Sequence, residues 1–231
     1  MKRDNRQQLL MIGGVVGIAV VAVAAVILLG ALTDRGTERS DIDYAAIGST
    51  VTEDGVYVLG NPDAPITIVE FADFLCGFCQ DYKPTVDRVI EELVEPGLAR
   101  FEFRAYPSLG SDAVYYAQLL ECAGTLGGPE TFWLAHEELF YHSSRGVTGT
   151  EAGRGMAETL NLSYADVLEC TADAEQHEDN IGVGRQTQVQ GTPAVRVRYG
   201  DNPMEPIVSF ERAGIPFSEL EQIVLAANGQ Q

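Results

Sequence analysis

The sequence predicts an α/β fold that follows one N-terminal transmembrane helix. Three observations lead to this prediction. Residues 9–32 form an uncharged apolar run, residues 66–105 show a strand–helix–strand pattern, and strands return over 194–210 after a long helical stretch. A strand, a helix and a second strand in succession are the unit from which α/β sheets are built.

The composition of the 231 residues narrows the class of protein. Hydrophobic residues make up 45% of the chain and charged residues 21%, so the chain can bury a core and lacks the composition of a disordered protein. The formal net charge is −19, whereas a protein that binds nucleic acid should be basic. We therefore expect no nucleic-acid partner.

The apolar run over residues 9–32 predicts an anchor in contact with membrane lipid. At about 1.5 Å per residue, a helix of this length spans about 36 Å, enough to cross a hydrocarbon core of about 30 Å. Basic residues precede the run, so residues 1–8 should stay in the cytoplasm while the rest is exported. A cleaved signal peptide would have a shorter apolar region and a small-residue cleavage site. We therefore predict a single-pass protein of the cell membrane with an extracytoplasmic domain.

The polar residues 33–50 predict a linker, and residues 51–231 a single domain. Its first half should contain strands over 56–59, 66–71 and 99–105 and a helix over 76–95. Its second half should contain helices over 111–122, 130–142, 151–160, 163–170 and 172–188, strands over 194–199 and 207–210, and a helix over 218–227. The helical block, at about 108–188, is thus inserted between two strand-rich halves.

Cys76 and Cys79 form a C-x-x-C motif directly after a predicted strand and at the start of a predicted helix. Free N–H groups and the helix dipole at this end favour an anion, so the pKa of the Cys76 thiol should be low. Cys79 lies one turn further on, close enough to form a disulfide. A stable thiolate is a good leaving group in thiol–disulfide exchange, so the motif predicts redox chemistry.

Zinc binding and haem attachment are two other uses of a C-x-x-C motif. Zinc ribbons need a second C-x-x-C pair, which the sequence lacks, and a c-type haem site needs histidine where Gln80 stands. We therefore expect no metal and no cofactor. An inert structural pair is the other alternative.

Cys122 and Cys170 both fall in the predicted helical block. If Cys76 pairs with Cys79, the pairing that is left joins these two cysteines. Export favours a structural disulfide, because disulfides persist in oxidising compartments. The alternative is two buried free thiols.

Two stretches that flank the helical block carry a family resemblance. Residues 66–79 (ITIVEFADFLCGFC), the block itself and residues 190–194 (QGTPA) resemble the DsbA-like thiol–disulfide oxidoreductases of the thioredoxin superfamily. The resemblance extends over about residues 56–228. It implies a thioredoxin fold with an inserted helical domain.

The resemblance also implies roles for individual residues. It implies that Pro193 is a cis-proline facing the two cysteines, and that Thr192 offers backbone groups to an extended substrate. Glu70 matches the buried acid of the family, which handles the proton of Cys79. A strand-face glutamate in a salt bridge is the alternative for Glu70.

Gly77 and Phe78, the residues between the cysteines, depart from the family pattern and are expected to contact substrate. DsbA proteins often carry proline and histidine there, and Phe78 cannot donate a hydrogen bond to a thiolate. The Cys76 thiolate should therefore be less stabilised, and the protein a weaker oxidant, than in those members. The direction of electron flow is left open by this pair.

Together these inferences predict an exported enzyme that forms disulfides in unfolded exported polypeptides with free cysteines. The resemblance implies reoxidation by a quinone-linked membrane partner of the DsbB or vitamin-K-epoxide-reductase type. The alternatives are a reductase or isomerase on the same fold, and a non-catalytic thioredoxin-like binding module.

Overall fold

A six-stranded sheet lies at the centre of residues 37–207 and 214–229, which this computed structural model describes. Its strands are β1 (Ser49–Val51), β2 (Tyr57–Leu59), β3 (Ile66–Ala72), β4 (Arg100–Ala105), β5 (Ala194–Tyr199) and β6 (Glu205–Pro206). The order across the sheet is β1-β2-β4-β3-β5-β6. Strands β3 and β4 run parallel, and the other neighbouring pairs run antiparallel. Every residue of β3 is buried, as its near-continuous apolar sequence predicts.

Eight α-helices accompany the sheet in the described part of the chain. They are α1 (Tyr44–Ile47), α2 (Gly77–Val89), α3 (Ser111–Gly127), α4 (Pro129–Ser144), α5 (Gly149–Thr159), α6 (Tyr164–Thr171), α7 (Gln176–Gln186) and α8 (Phe217–Ala227). A π-helical turn, Ile90–Val94, continues α2. Helices α3 to α7 form the insertion between β4 and β5, where the sequence predicts a helical block. The observed order agrees with the predicted thioredoxin-like α/β fold.

Helix α2 connects the parallel strands β3 and β4 and buries one face. Tyr82, Val86 and Val89 lie on that face, at the spacing that places side chains on one side of a helix. Helices α3 and α4 add an aromatic cluster beneath the sheet, in which the ring centroids of Phe74 and Phe140 are 4.7 Å apart. The core of the domain therefore joins the sheet to the insertion.

A disulfide links two helices of the insertion. Cys122 of α3 and Cys170 of α6 are bonded, with an S–S distance of 2.06 Å, and this is the pairing that the sequence analysis favours. The Cys122 side chain is completely buried. The cross-link closes a long loop, so it restricts the unfolded chain more than it shapes the site.

Residues 37–50 differ from the predicted linker. The compact unit that holds the described residues begins at Thr37 rather than at residue 51. Arg39 forms a bidentate ion pair with Glu138 of α4, and Tyr44 is buried. The polar composition of this segment does not predict these contacts, because the hydrogen-bond partners of its polar groups lie about a hundred residues away in the sequence.

Two further predictions fall partly or wholly outside the described residues. The predicted anchor over 9–32 lies outside them, and among the residues described we find no helix with the length and apolar character of a membrane span. The predicted strand over 207–210 is wrong at Ile207, which lies just beyond the short strand β6. Its remaining residues are outside the described part.

Candidate active site

The C-x-x-C motif lies where β3 passes into α2. Cys76 is the N-cap of α2, and its side chain is partly exposed, while Cys79 is completely buried one turn further on. Both thiols are free in this structure, which therefore represents the dithiol form. The motif thus presents one accessible sulfur and keeps the other inside the protein.

The surroundings of Cys76 stabilise its thiolate. A hydrogen bond from Cys79, a second from the Thr192 side chain and the backbone N–H groups of Cys79 and Phe78 together lower the pKa of Cys76 to about 5. Partial burial opposes these effects. The two backbone donors belong to the first turn of α2, a position at which thiolates are commonly stabilised. This environment therefore favours the thiolate form of Cys76 at neutral pH.

Cys79 has the opposite environment. Burial raises the pKa of its thiol well above the ordinary value, and the neighbouring Cys76 and the carboxyl of Glu70 raise it further. Glu70 is itself 2% exposed, and burial raises its pKa to about 8. Its Oε2 atom has no hydrogen-bond partner among the described residues. The salt bridge considered for Glu70 from the sequence is not observed there.

The loop before β5 faces the accessible cysteine. The Thr192–Pro193 peptide bond is cis, and the carbonyl oxygen of Thr192 lies 3.4 Å from Sγ of Cys76. The loop that the sequence analysis assigned to substrate contact is thus next to Cys76.

Gly77 and Phe78 lie on the open side of the same sulfur. A Cβ atom at Gly77 would meet no atom within 4 Å, so nothing covers this position. Phe78 is 62% exposed although it is large and apolar. Next to it lies a shallow groove lined by Phe78, Asp81, Tyr82, Thr85, Gly214, Ile215 and Pro216. The surface beside Cys76 is therefore apolar and accessible.

Asp73 fixes the turn that precedes Cys76. One carboxylate oxygen accepts the N–H of Leu75, and the other accepts the N–H groups of Ser108 and Leu109 at 2.7 and 3.0 Å. The turn cap is readable from the sequence, since aspartate commonly bonds to the backbone two residues on. The contact with the loop that enters the insertion depends on the fold.

A second group of buried charges borders the site and was missed by the sequence analysis. Lys83 of α2 donates to the carboxylates of Asp87 and Glu137. The available signal was the spacing of Cys79, Lys83 and Asp87, which are four residues apart and lie on one helix face. Glu137 comes from the insertion, and no local pattern connects it to the motif.

The arrangement is suited to exchange of two electrons between dithiol and disulfide. An exposed, stabilised thiolate can form or leave a mixed disulfide, and a buried partner thiol can displace it. No group of three or more His, Cys, Asp or Glu side chains suited to a metal occurs in the part of the chain that the structure describes.

Comparison with known sequences gives a consistent result. The model of the family described as Thioredoxin matches residues 52–201. The chain is 28% identical over 211 residues to a probable disulfide bond formation protein D of Bacillus anthracis, covering 85% of this chain and 90% of that protein.

Solved structures share the fold. BdbD from Bacillus subtilis, in its oxidised form, is 22% identical with a TM-score of 0.59, and the match covers 74% of this chain and 91% of that one. Alpha-DsbA1 from Wolbachia pipientis is 16% identical with a TM-score of 0.63, covering 78% and 94%.

Proposed function

The chain belongs to the thioredoxin family and is a DsbA-like thiol–disulfide oxidoreductase, and we propose that it works as an oxidant. Its substrates on this proposal are unfolded exported polypeptides with free cysteines, and Cys76 and Cys79 are the catalytic pair. The name of the Bacillus anthracis relative, a probable disulfide bond formation protein, supports this direction.

The proposed reaction begins with the Cys76–Cys79 disulfide. A substrate thiolate attacks Sγ of Cys76, the bond to Cys79 breaks, and Cys79 leaves and takes up a proton from Glu70. A second substrate thiolate then attacks the substrate sulfur of the mixed disulfide, and Cys76 leaves as a thiolate. The substrate loses two electrons and gains a disulfide, and the protein becomes the dithiol.

When the protein is reoxidised, the first step runs in reverse and Glu70 accepts the proton of Cys79. Cys79 must then lose its proton in order to attack Cys76, and its pKa is strongly raised by burial. A carboxylate with a pKa of about 8, buried near Cys79, is suited to accept that proton. On this proposal Glu70 is a general base in one direction and a general acid in the other.

The proposed contact surface for the substrate consists of four residues around Cys76: Thr192, Pro193, Gly77 and Phe78. The carbonyl beside Cys76 offers an acceptor to an extended chain, as in strand addition. The exposed ring of Phe78 offers apolar contact next to the reacting sulfur.

We further propose that residues 9–32 hold the protein in the cell membrane, with residues 1–8 in the cytoplasm and the catalytic domain outside. The apolar run and its basic flank support this arrangement. A quinone-linked membrane protein of the DsbB or vitamin-K-epoxide-reductase type would reoxidise the cysteine pair.

The environment of Cys76, at the N-terminus of α2 and beside Thr192, is the observation that carries the oxidising direction. A pKa of about 5 lies between those of thioredoxin, about 7, and a strong oxidant, about 3.5. A stabilised thiolate favours the dithiol form, so the disulfide form is the better oxidant. The side chain of Phe78 has no hydrogen bond to donate to the thiolate, and this favours reductase or isomerase activity as the second candidate.

The reduction potential of the pair decides between the two directions. We expect equilibration in glutathione buffers to give a value between about −270 mV, that of thioredoxin, and about −120 mV, that of a strong oxidant. A value at or below that of thioredoxin would contradict the oxidant and favour the reductase. A pair that does not titrate would contradict the redox function itself.

A further inference from the structure

Lys83, Asp87 and Glu137 form a buried ionic cluster that the proposed reaction does not use. The Lys83 side chain is 1% exposed, that of Glu137 is 6% exposed and that of Asp87 is 18% exposed. Ion pairs at such depth are costly to desolvate and seldom stabilise a protein more than apolar residues would. A contribution to the stability of the fold therefore does not explain why this cluster is present, and its position next to the cysteine pair suggests a role in the site.

The cluster lies on the same face of α2 as the buried cysteine. Cys79, Lys83 and Asp87 occupy successive turns of that face, and all three act electrostatically on Glu70 or are acted on by it. In the sheet, the residues opposite Glu70 are Phe103 and Val195, which carry no charge. Among the described residues, the charges that shift the pKa of Glu70 are those of Lys83 and Asp87, both on α2.

The positive charge of Lys83 acts on more than one neighbouring acid. Its ammonium group donates to Asp87 and Glu137. It favours the ionised form of Glu70, whereas the negative charge of Asp87 disfavours that form. Glu137 keeps its own charge in spite of burial, because the charge of Lys83 and the hydrogen bonds from Lys83 and Tyr44 bring its pKa down to about 2. The remaining titratable neighbour of Glu70 on α2 is Tyr82, whose hydroxyl donates to the Ile215 carbonyl.

The segment before the sheet holds Glu137 in place. The hydroxyl of Tyr44 donates to Oε1 of Glu137 at 2.6 Å, and the N–H of Ser40 donates to Oε2 at 3.1 Å. Both carboxylate oxygens are therefore engaged, and Oε1 also receives Lys83. Residues 40–44 therefore bind the Glu137 carboxylate from one side, and Lys83 of α2 binds it from the other.

We propose that Lys83 is a positioning residue of the redox site, and that Glu137 limits how strongly Lys83 stabilises the carboxylate of Glu70. The balance of these charges sets how readily Glu70 accepts the proton of Cys79. This inference rests on the proposed function, since it assumes that Glu70 is the proton acceptor.

The proposal predicts shifts of opposite sign for two substitutions. Lys83→Met removes the cation and leaves Glu70 among acids alone, so its ionised form becomes less favourable. Glu137→Gln keeps the shape and removes a competing carboxylate, so Lys83 stabilises the ionised form of Glu70 more strongly. A purely structural role would not separate the two variants in this way.

The test follows Cys79 directly. Cys76 of the full-length protein is loaded with 5-thio-2-nitrobenzoate, and release of the coloured thiolate is recorded by stopped flow across a range of pH. Cys79 loses its proton and attacks Sγ of Cys76, the mixed disulfide breaks, and the aromatic thiolate leaves as the Cys76–Cys79 disulfide forms. The midpoint of the rate profile reports proton transfer from Cys79.

We expect Lys83→Met to raise the midpoint by about one pH unit and Glu137→Gln to lower it by about as much. Arg88→Met is the matched control, because Arg88 is an exposed cation of the same helix, paired with Glu92, and its loss should leave the midpoint unchanged. Midpoints that move in the same direction, or not at all, would overturn the proposal. If Lys83→Met does not fold, Asp87→Asn must lower the midpoint as Glu137→Gln does.

A Glu70→Gln variant separates this inference from the function on which it rests. If that variant keeps the wild-type profile, Glu70 is not the proton acceptor and its proposed role fails. If it abolishes the titration while the Lys83 and Glu137 variants leave the midpoint in place, the role of Glu70 stands and the inference alone is wrong.

Discussion

The contribution of Cys79 to the Cys76 thiolate can be tested by removing one hydrogen-bond donor. The Cys79 thiol is the largest of the effects that lower the pKa of Cys76 to about 5. Cys79→Ala removes this donor, and Cys79→Ser is the matched control because its hydroxyl can still donate. Both variants also prevent the disulfide with Cys76, so the remaining thiol can be titrated alone.

The expected size follows from the hydrogen bond that is lost. A hydrogen bond to a charged group contributes about 1.5–3 kcal/mol, which corresponds to about one to two pKa units. Cys76 is partly exposed, so the lower end of this range is the better expectation. At pH 5 about half of Cys76 is thiolate in the wild type, and a pKa of about 6 would leave about one tenth. Alkylation at this pH should therefore slow about fivefold in Cys79→Ala.

The assay is the pH profile of iodoacetamide alkylation, with the modified residue identified by mass spectrometry. The Cys122–Cys170 disulfide removes the other two cysteines from the reaction. The serine variant should keep a midpoint near that of the wild type, and the alanine variant should titrate higher. If both variants titrate together near pH 5, Cys79 does not stabilise the thiolate, and the helix N-terminus with Thr192 must account for it.

Three further substitutions give independent tests. Thr192→Val removes the side-chain hydrogen bond to Cys76, so its alkylation midpoint should rise by about one unit. Burial raises the pKa of Glu70 to about 8, so its stabilising contribution is complete below the unfolded value of about 4.5 and declines as pH rises towards 8. In Glu70→Gln, the free energy of unfolding measured in urea should therefore decrease less steeply with pH over that range. The same slope as in the wild type would contradict the raised pKa. Replacing Cys122 and Cys170 by serine should lower the free energy of unfolding by about 4 kcal/mol and leave the alkylation profile of Cys76 unchanged.

Local sequence patterns were sufficient for much of the fold and for the reacting atoms. The β-branched run of β3 and the C-x-x-C motif at the start of α2 each carry their signal within a few residues. The helical block was recognisable from its apolar spacing, although α3 continues to Gly127, beyond the predicted end at residue 122.

The rest depended on contacts that are distant in sequence. Arg39 and Tyr44 lie in a polar stretch typical of a linker. The ion pair of Arg39 with Glu138 and the buried hydrogen bond of Tyr44 to Glu137 join residues more than ninety positions apart. Lys83 likewise has the periodicity of an ordinary helix residue, and its role becomes visible once Glu137 is placed against it. Complementary charges separated by 54 or 99 residues produce no periodic pattern in the sequence.

Strand β1 has a consequence for how unfolded chains meet this protein. It pairs with β2 from Ser49 opposite Leu59 to Val51 opposite Tyr57, and it is itself the outermost strand on that side of the sheet. A long uncovered edge can pair with an extended polypeptide, and very short edge strands are one way in which proteins limit such pairing. Ser49 and Thr50 of the predicted linker, together with Val51, thus shield the backbone of β2, and a version that starts at residue 51 instead of 37 would leave β2 open to co-aggregation.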